Sequence, residues 1–368
     1  MKRMLVAMLL CLLVCCGANA ETVMEGEVST ITFTYQDYQN RLLNNAFYLS
    51  DDEIWFDFLD GSTSRALVCF NADGQVVDEW HIQSIKSKDP WIHCLNRVDE
   101  KTLVGYKDLT NFRGEVIIFD QSRKEIARNT LPKDVIINQM RPTQRGMLVL
   151  GATDDGESKG SFYLTEIAPD GQVIFEKNIP FTKEPGAPWY ATESKATTDG
   201  ENYYLQAKTG MAGTLMAKEQ LICLDQTGEA LWTAELPASF YTNDLAVLNG
   251  YVYLVGSAGD RDEYGCLINQ QGAILCYAAD GTRQWQMAYP EVSGGWYTFY
   301  RVAVGKESCY AISVLSEGQA YAVEIKADGS IGMLKHLVLD GGIIAVNDHG
   351  QLTFLGDQGD ALYISTVE

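Results

Sequence analysis

Basic residues are scarce in this chain: 28 lysines and arginines stand against 49 aspartates and glutamates, for a formal net charge of −21. A surface of that sign repels phosphate backbones and anionic lipid headgroups, which excludes nucleic acid and electrostatic membrane docking as partners. Histidine is nearly absent, the four residues His81, His93, His336 and His349 are scattered, and no CxxC occurs, so no metal site is expected. After the first twenty residues no apolar stretch approaches the roughly 20 residues of a spanning helix, so no transmembrane segment is expected. Apolar spacing of the helical kind is hard to find anywhere, which argues against helical fold classes. Nucleophile elbows, phosphate loops and kinase signatures are missing as well. The acidic clusters Asp154-Asp155, Asp260-Arg261-Asp262-Glu263 and the pair Asp357 and Asp360 lack the fixed spacing of a calcium loop and read as solvated charge.

What the chain does have begins with Lys2 and Arg3, then an apolar run from Met4 to Cys16, then the small-residue triplet Ala18-Asn19-Ala20. That order is a secretory signal peptide over residues 1–20, cleaved after Ala20, and it places the mature protein, residues 21–368, outside the cytoplasm. An alternative is lipoprotein anchoring at Cys16, since Leu13-Val14-Cys15-Cys16 approximates the pattern that precedes a lipidated cysteine. Cleavage takes away Lys2 and Arg3, so the formal net charge moves from −21 to −23. It also leaves six cysteines, Cys69, Cys94, Cys223, Cys266, Cys276 and Cys309. Most sit inside apolar runs such as Ala66-Leu67-Val68-Cys69-Phe70, where a thiol packs as a small hydrophobe. Cys266 and Cys276 alone are close enough in sequence to suggest a hairpin staple.

The chain repeats itself. Leu221 onward reads LICLDQTGEALWTAE and Leu275 onward reads LCYAADGTRQWQMA: a strand, a polar turn closing on glycine, and a second strand. Further copies start at Leu67, Leu164 and Tyr321, with a weaker one at Val116 that carries arginine where the others carry glycine. The turn positions Gly74, Arg123, Gly171, Gly228, Gly281 and Gly329 stand 49, 48, 57, 53 and 48 residues apart. Asp or Asn followed shortly by Gly gives the positive φ that reverses a chain between antiparallel strands. Arg123 breaks that rule, so another turn geometry is expected there.

Upstream of each copy lies a second pair of strand-like runs, as in LAVLNGYVYLVGSA from Leu245. Four short strands in about fifty residues make one β-propeller blade. Six copies, a three-stranded tail after Leu339 and a lone strand at Ser29 to Tyr35 together give seven blades, provided the N-terminal strand completes the last one. The expectation is a single all-β domain, a seven-bladed propeller of four-stranded blades closed without a covalent bond, so that no sheet edge is left open.

The unit LICLDQTGEALWTAELP resembles the repeat of pyrroloquinoline-quinone-like (PQQ-like) propellers, with an aromatic four residues after the turn glycine. Gly228 with Trp232, Gly281 with Trp285 and Gly171 with Phe175 match it. The resemblance implies the propeller fold and inter-blade packing for the aromatics. Quinone-dependent relatives carry adjacent cysteines in the mature chain, whereas the only adjacent pair here, Cys15-Cys16, lies in the leader. The resemblance therefore points to the cofactor-free scaffold branch, and no cofactor is expected.

One constellation suggests a binding site. Phe47-Tyr48, Trp91, Trp189-Tyr190, Phe240-Tyr241 and Trp296-Tyr297 fall in segments leading into a blade's innermost strand, and these gather at one end of the ring. Trp91, Trp189, Tyr190, Tyr241, Trp296 and Tyr297 are thus candidates for an aromatic face that stacks on sugars or grips peptide side chains; channel plugging is the structural alternative. The function expected is a non-enzymatic binding scaffold for protein, peptide or glycan. The competing reading is a glycan-active hydrolase or lyase, or a degenerate quinoprotein, which would need two carboxylates about 5–9 Å apart beside the aromatics.

Overall fold

The computed structural model describes residues 24–25, 27–34, 42–60, 64–71, 73–82, 85, 90–108, 113–154, 159–182, 193–209, 218–263, 267–289, 298–305, 307–315, 319–326, 330–332, 334–338, 343–347, 349–358 and 361–367. They form seven separate sheets, antiparallel within each four-stranded blade, in chain order blades 1 to 7. Blade 1 runs from Leu42–Ser50 to Val76–His81, blade 2 from Pro90–Val98 to Glu125–Thr130, and blade 3 from Ile136–Thr143 to Val173–Thr182. Blade 4 runs from Lys195–Thr198 to Ala230–Glu235, blade 5 from Phe240–Leu248 to Arg283–Ala288, and blade 6 from Arg301–Val304 to Lys335–Val338. The first strand of each blade is innermost, and these seven strands neighbour one another in a closed cycle around a central channel.

Blade 7 is composite. Its inner three strands are Ile343–Val346, Leu352–Gln358 and Ala361–Val367, and its outer strand is Val28–Thr34, paired antiparallel from Val28 opposite Val367 to Thr34 opposite Ala361. The expected closure by the N-terminal strand is therefore the closure observed. The adjoining Met24–Glu25 adds a short parallel strand to the outer edge of blade 6, so the N-terminal segment clasps two blades. The leader, residues 1–20, lies outside the described residues.

Cohesion comes from packing between blades. Seven clusters of buried apolar side chains sit mostly at blade junctions, for example Tyr253, Val255 and Cys276 of blade 5 against Ala311, Val323 and Ile325 of blade 6. The second and third strands are covered on both faces, which explains why they read as unbroken apolar runs such as Val252 to Val255.

The repeated turn glycines serve these junctions. Gly171, Gly228 and Gly281 adopt φ of +85°, +79° and +84°, and each turn abuts the preceding blade: Gly171 faces Ala127, Gly228 faces Lys177 and Gly281 faces the Trp232 ring. Trp232 Nε1 also donates to Ala279 O at 2.7 Å, so the aromatic of one repeat docks under the turn of the next. Phe175 likewise stacks on Tyr203 of the following blade at 3.9 Å between centroids.

Two expectations need correction. Arg123 does not change the turn geometry: its φ is +62°, and Arg123 N to Asp120 O with Asp120 N to Lys124 O repeats the bonding of the glycine turns. Its side chain offsets the backbone cost by pairing with Asp78, donating to Glu79 O at 2.7 Å and covering the Trp80 ring. The Cys266–Cys276 staple does not form either: Cys276 is a buried free thiol, and Cys266 itself lies outside the described residues.

Candidate functional site

In this up-and-down arrangement the start of each innermost strand, the connection between blades and the loop between second and third strands share one end of the ring, here the loop face. The opposite end, the turn face, carries the tight turns just described.

Four innermost strands carry a β-bulge close to the loop face, at Leu43/Asn45, Ile92/Cys94, Ile137/Gln139 and Thr242/Asp244. A bulge takes a residue out of the ladder and frees its neighbours' backbone groups, and side chains of the preceding blade use them. Asn45 Nδ2 donates to Ile92 O at 3.0 Å, Lys107 Nζ to Ile137 O at 3.1 Å and Lys208 Nζ to Thr242 O at 3.2 Å. The recurring bulge thus brings polar and cationic side chains to the channel mouth.

Around blades 3 to 6 these groups form a network. Arg141 of blade 3 passes blade 4 and pairs with Asp244 of blade 5, while its second nitrogen donates to Leu245 O at 2.7 Å. Asp244 also accepts from Leu245 N at 3.0 Å and from Val302 N of blade 6 at 3.2 Å, so one carboxylate ties three blades. Lys208, 1 % exposed, is held between Glu193 at 3.2 Å and Glu219 at 3.7 Å, with its ammonium 3.5 Å from the centroid of the Tyr241 ring. Burial raises the Glu219 pKa against the pull of Lys208. Burial also works to raise Glu193, but the Tyr241 hydroxyl, donating at 2.5 Å, and the Lys208 ammonium outweigh it and hold that carboxyl low.

Two further cations complete the mouth. The innermost strands of blades 4 and 6 are each four residues long and each opens on a cation in the same register, Lys195 and Arg301. Burial lowers the Lys195 pKa, and Arg301, Arg141 and Lys208 lower it further while Asp244 opposes them. His93, the bulge residue of blade 2, is pushed down to about 4 by burial, then by Lys107 and by Arg301. Arg301 therefore acts on groups of both blade 4 and blade 2, across the mouth.

Of the aromatic candidates, Trp91 is the second residue of the strand Pro90–Val98 and is 37 % exposed on the loop face beside His93. Tyr241 occupies the corresponding place on blade 5, but its hydroxyl and ring are engaged by Glu193 and Lys208. Trp189, Tyr190, Trp296 and Tyr297 lie outside the described residues. Phe47 and Tyr48 depart from the expected placement: they sit in the second half of the strand Leu42–Ser50, toward the turn face, and pack into the blade junctions. A cavity of about 270 Å³ between blades 1 and 2 is lined by Trp55, Trp80, Arg97 and Arg123 among others, but Arg123 lies over the Trp80 ring.

Sequence reasoning missed the cations. All but Lys107 are lone charges in short strands, and the available signal was a basic residue inside an otherwise apolar or uncharged strand, as in Ile136–Thr143 (IINQMRPT) and Tyr203–Thr209 (YYLQAKT).

No family model matches the chain, and no curated protein matches it. Among solved structures it is similar to the β-propeller domain of the trilobed protease from Pyrococcus furiosus, at 12 % identity over 89 % of this chain and 93 % of that one, with a TM-score of 0.52. The fold is a seven-bladed β-propeller. The propeller also resembles polysaccharide lyase Uly1, at 12 % identity over 94 % of this chain and all of that one, TM-score 0.54. It resembles the acylaminoacyl peptidase of Pyrococcus horikoshii at 12 % identity and TM-score 0.50, covering 87 % of this chain and 49 % of that enzyme. At such identity these likenesses establish the propeller fold alone. The Pyrococcus furiosus propeller is described as having an open velcro topology, whereas here Val28–Thr34 pairs with the last strand.

Proposed function

We propose that this propeller is an exported, non-enzymatic scaffold that binds a protein, peptide or glycan outside the cytoplasm through its loop face, with the leader cleaved after Ala20. The observation that carries this reading is the asymmetry of the two ends. Repeated tight turns close one end against neighbouring blades, while the other presents Trp91 and a mouth of charged side chains. Surface loops on a rigid ring are where propellers can vary recognition without disturbing the fold. The repeat is read as PQQ-like and of the cofactor-free branch, a reading supported by Trp232 packing under the Gly281 turn.

The carboxylates beside Tyr241, the one candidate aromatic with acidic neighbours among the described residues, favour binding over hydrolysis. Glu193 and Glu219 flank Tyr241, but the Lys208 ammonium already bridges them, so the space an attacking water or glycosidic oxygen would need is taken.

The test is to screen the mature protein against glycans, peptides and cell-envelope proteins, with Trp91→Ala, Trp189→Ala and Trp296→Ala as loop-face variants. The expected result is a ligand whose affinity falls in at least one variant while the melting temperature stays within about 1 °C, as for exposed positions. Turnover of any glycan, or variants that lose stability and no interaction, would overturn the proposal.

A further inference from the structure

At the turn face, the junction between blades 1 and 2 departs from its neighbours. In blades 4 and 5 a cysteine of the third strand stands opposite the tryptophan that follows the turn glycine, Cys223 opposite Trp232 and Cys276 opposite Trp285. Blade 1 keeps the cysteine and loses the ring: Cys69 stands opposite Asp78. Between blades 4 and 5 the Trp232 indole sits under Gly281 and donates to Ala279 O at 2.7 Å. The counterparts of Gly281 and Ala279 in blade 2 are Arg123 and Gln121, and these two line the cavity of about 270 Å³ together with Asp78. The cavity is therefore the indole seat without its indole. Between blades 2 and 3 the ring is absent too, but there Gly171 closes on Ala127. Arg123 is fixed by Asp78, Glu79 and the Trp80 ring, so its guanidinium is a wall of the cavity and not its occupant.

The rest of the lining carries both signs of charge. The first hairpin of blade 2 sets Arg97 directly opposite Thr102, and both line the cavity with Glu100 from the turn between them. Residues paired in this way hold their Cβ atoms about 4.5–5.5 Å apart. Arg97 gives Nη1 to Glu53 of blade 1 at 2.7 Å, which leaves Nη2 and Nε for a ligand. Asp120 accepts from Ser122 Oγ and Lys124 N through Oδ1, which leaves Oδ2. Glu100 is exposed at the rim and has no side-chain partner among the described residues. It is held at φ +63°, after Asp99 at φ +48°, where the corresponding turn of blade 5 uses Asn249 and Gly250. Two acidic residues in the left-handed region cost backbone energy, and strain of this kind is found at ligand clamps.

These groups select the ligand. The cavity of about 270 Å³ has the volume of about nine waters at about 30 Å³ each. A purely cationic ligand would meet Arg97 and Arg123 there, and a purely anionic one Asp78, Glu100 and Asp120. A zwitterion avoids both conflicts, with its ammonium toward Glu100 and Asp120 and its carboxylate toward Arg97 and Thr102. Its two charges are adjacent in the molecule, as Arg97 and Glu100 are in the hairpin. A flat ring joined to that head reaches the place that Trp232 fills between blades 4 and 5.

We propose that the turn-face cavity between blades 1 and 2 binds a free aromatic α-amino acid, whose zwitterionic head is taken by Arg97 and Glu100 and whose ring occupies the indole seat. The site lies at the opposite end of the ring from the loop face and does not depend on it.

The experiment is calorimetric titration of the full mature protein with L-tryptophan, with L-tryptophanamide, which lacks the carboxylate, with N-acetyl-L-tryptophan, which lacks the ammonium, and with L-alanine, which lacks the ring. The variants are R97Q, E100Q and D78W/R123G, which restores the tryptophan and glycine of the other junctions, with R283Q on the outer strand of blade 5 as a control. The expected result is that L-tryptophan binds and each analogue binds at least about tenfold more weakly. R97Q and E100Q each weaken L-tryptophan by about tenfold or more, the range of a lost charge-assisted bond. D78W/R123G abolishes binding without lowering the melting temperature, and R283Q retains wild-type affinity. Arg97 gives up only a half-exposed ion pair and Glu100 gives up no bond, so both variants should melt within about 2 °C of wild type, which separates a lost site from a damaged fold. No binding of L-tryptophan, equal binding of any of the three analogues, wild-type affinity in R97Q and E100Q, or binding retained in D78W/R123G overturns the proposal. The analogue titrations use the wild-type protein and decide the matter even where a variant is unstable. Either result leaves the loop-face reading as it stands.

Discussion

Removing the Asp244 carboxylate tests the idea that one buried group joins three blades. In D244A the Arg141 guanidinium, whose side chain is 19 % exposed, loses its counter-charge while Lys195 and Arg301 remain nearby. The amides of Leu245 and Val302 lose their carboxylate acceptor in the same step. Breaking one partner out of a buried pair costs about 3–5 kcal/mol. With an unfolding entropy of about 2.1 cal/mol/K per residue, a chain of this length loses about 0.7 kcal/mol of stability per degree, so the melting temperature of D244A should fall by about 4–7 °C. Scanning calorimetry of wild type, D244A, R141M and the double variant measures it. Because the pair acts as a unit, R141M should recover part of the loss, with a coupling of about 1–3 kcal/mol. A D244A melt within 1 °C of wild type, or strictly additive losses in the double variant, would refute the cross-channel tie.

Three other outcomes follow from the same geometry. Gly281→Ala places a Cβ 2.7 Å from the Trp232 ring at a φ of +84°, so it should cost about 1–3 kcal/mol and quench or shift tryptophan fluorescence, whereas Gly250→Ala, with open space around it at φ +76°, should cost only the backbone strain of about 1–2 kcal/mol. His93 has a folded pKa near 4 against 6.5 unfolded; the unfolded chain therefore binds the proton first, and the stability this group contributes is complete above about pH 6.5 and lost as pH falls toward 4. H93Q should flatten that limb by about 1–2 kcal/mol, discounted for a half-buried ring, and an unchanged acid limb in denaturant titrations would count against the channel placement. Burial pushes the thiols of Cys69, Cys94, Cys276 and Cys309 up to about 12 and that of Cys223 to about 11, so these five should resist a disulfide reagent at pH 8 in the folded protein and react at once on unfolding.

The sequence by itself determined the propeller. A period near fifty, four strand-like runs per period and glycine at five of the six repeated turns are local properties, and a lone strand at residues 29–35 was needed to complete a three-stranded tail; the pairing of Val28–Thr34 with Ala361–Val367 is that completion. Trp232 and Phe175 were legible as junction aromatics because their spacing from the turn glycine repeats. Tertiary structure alone decided the rest. Arg123 keeps the glycine turn because Asp78, Glu79 and Trp80 of the neighbouring blade hold its side chain, and no local rule sees that neighbour. Tyr241 turned from a free aromatic into a partner of Lys208 and Glu193 for the same reason. The cations of the channel mouth lie far apart along the chain, from Lys107 to Arg301, and reach the same end of the ring only when the ring closes. Strand periodicity is a property of adjacent residues, whereas electrostatic coupling depends on distance through space.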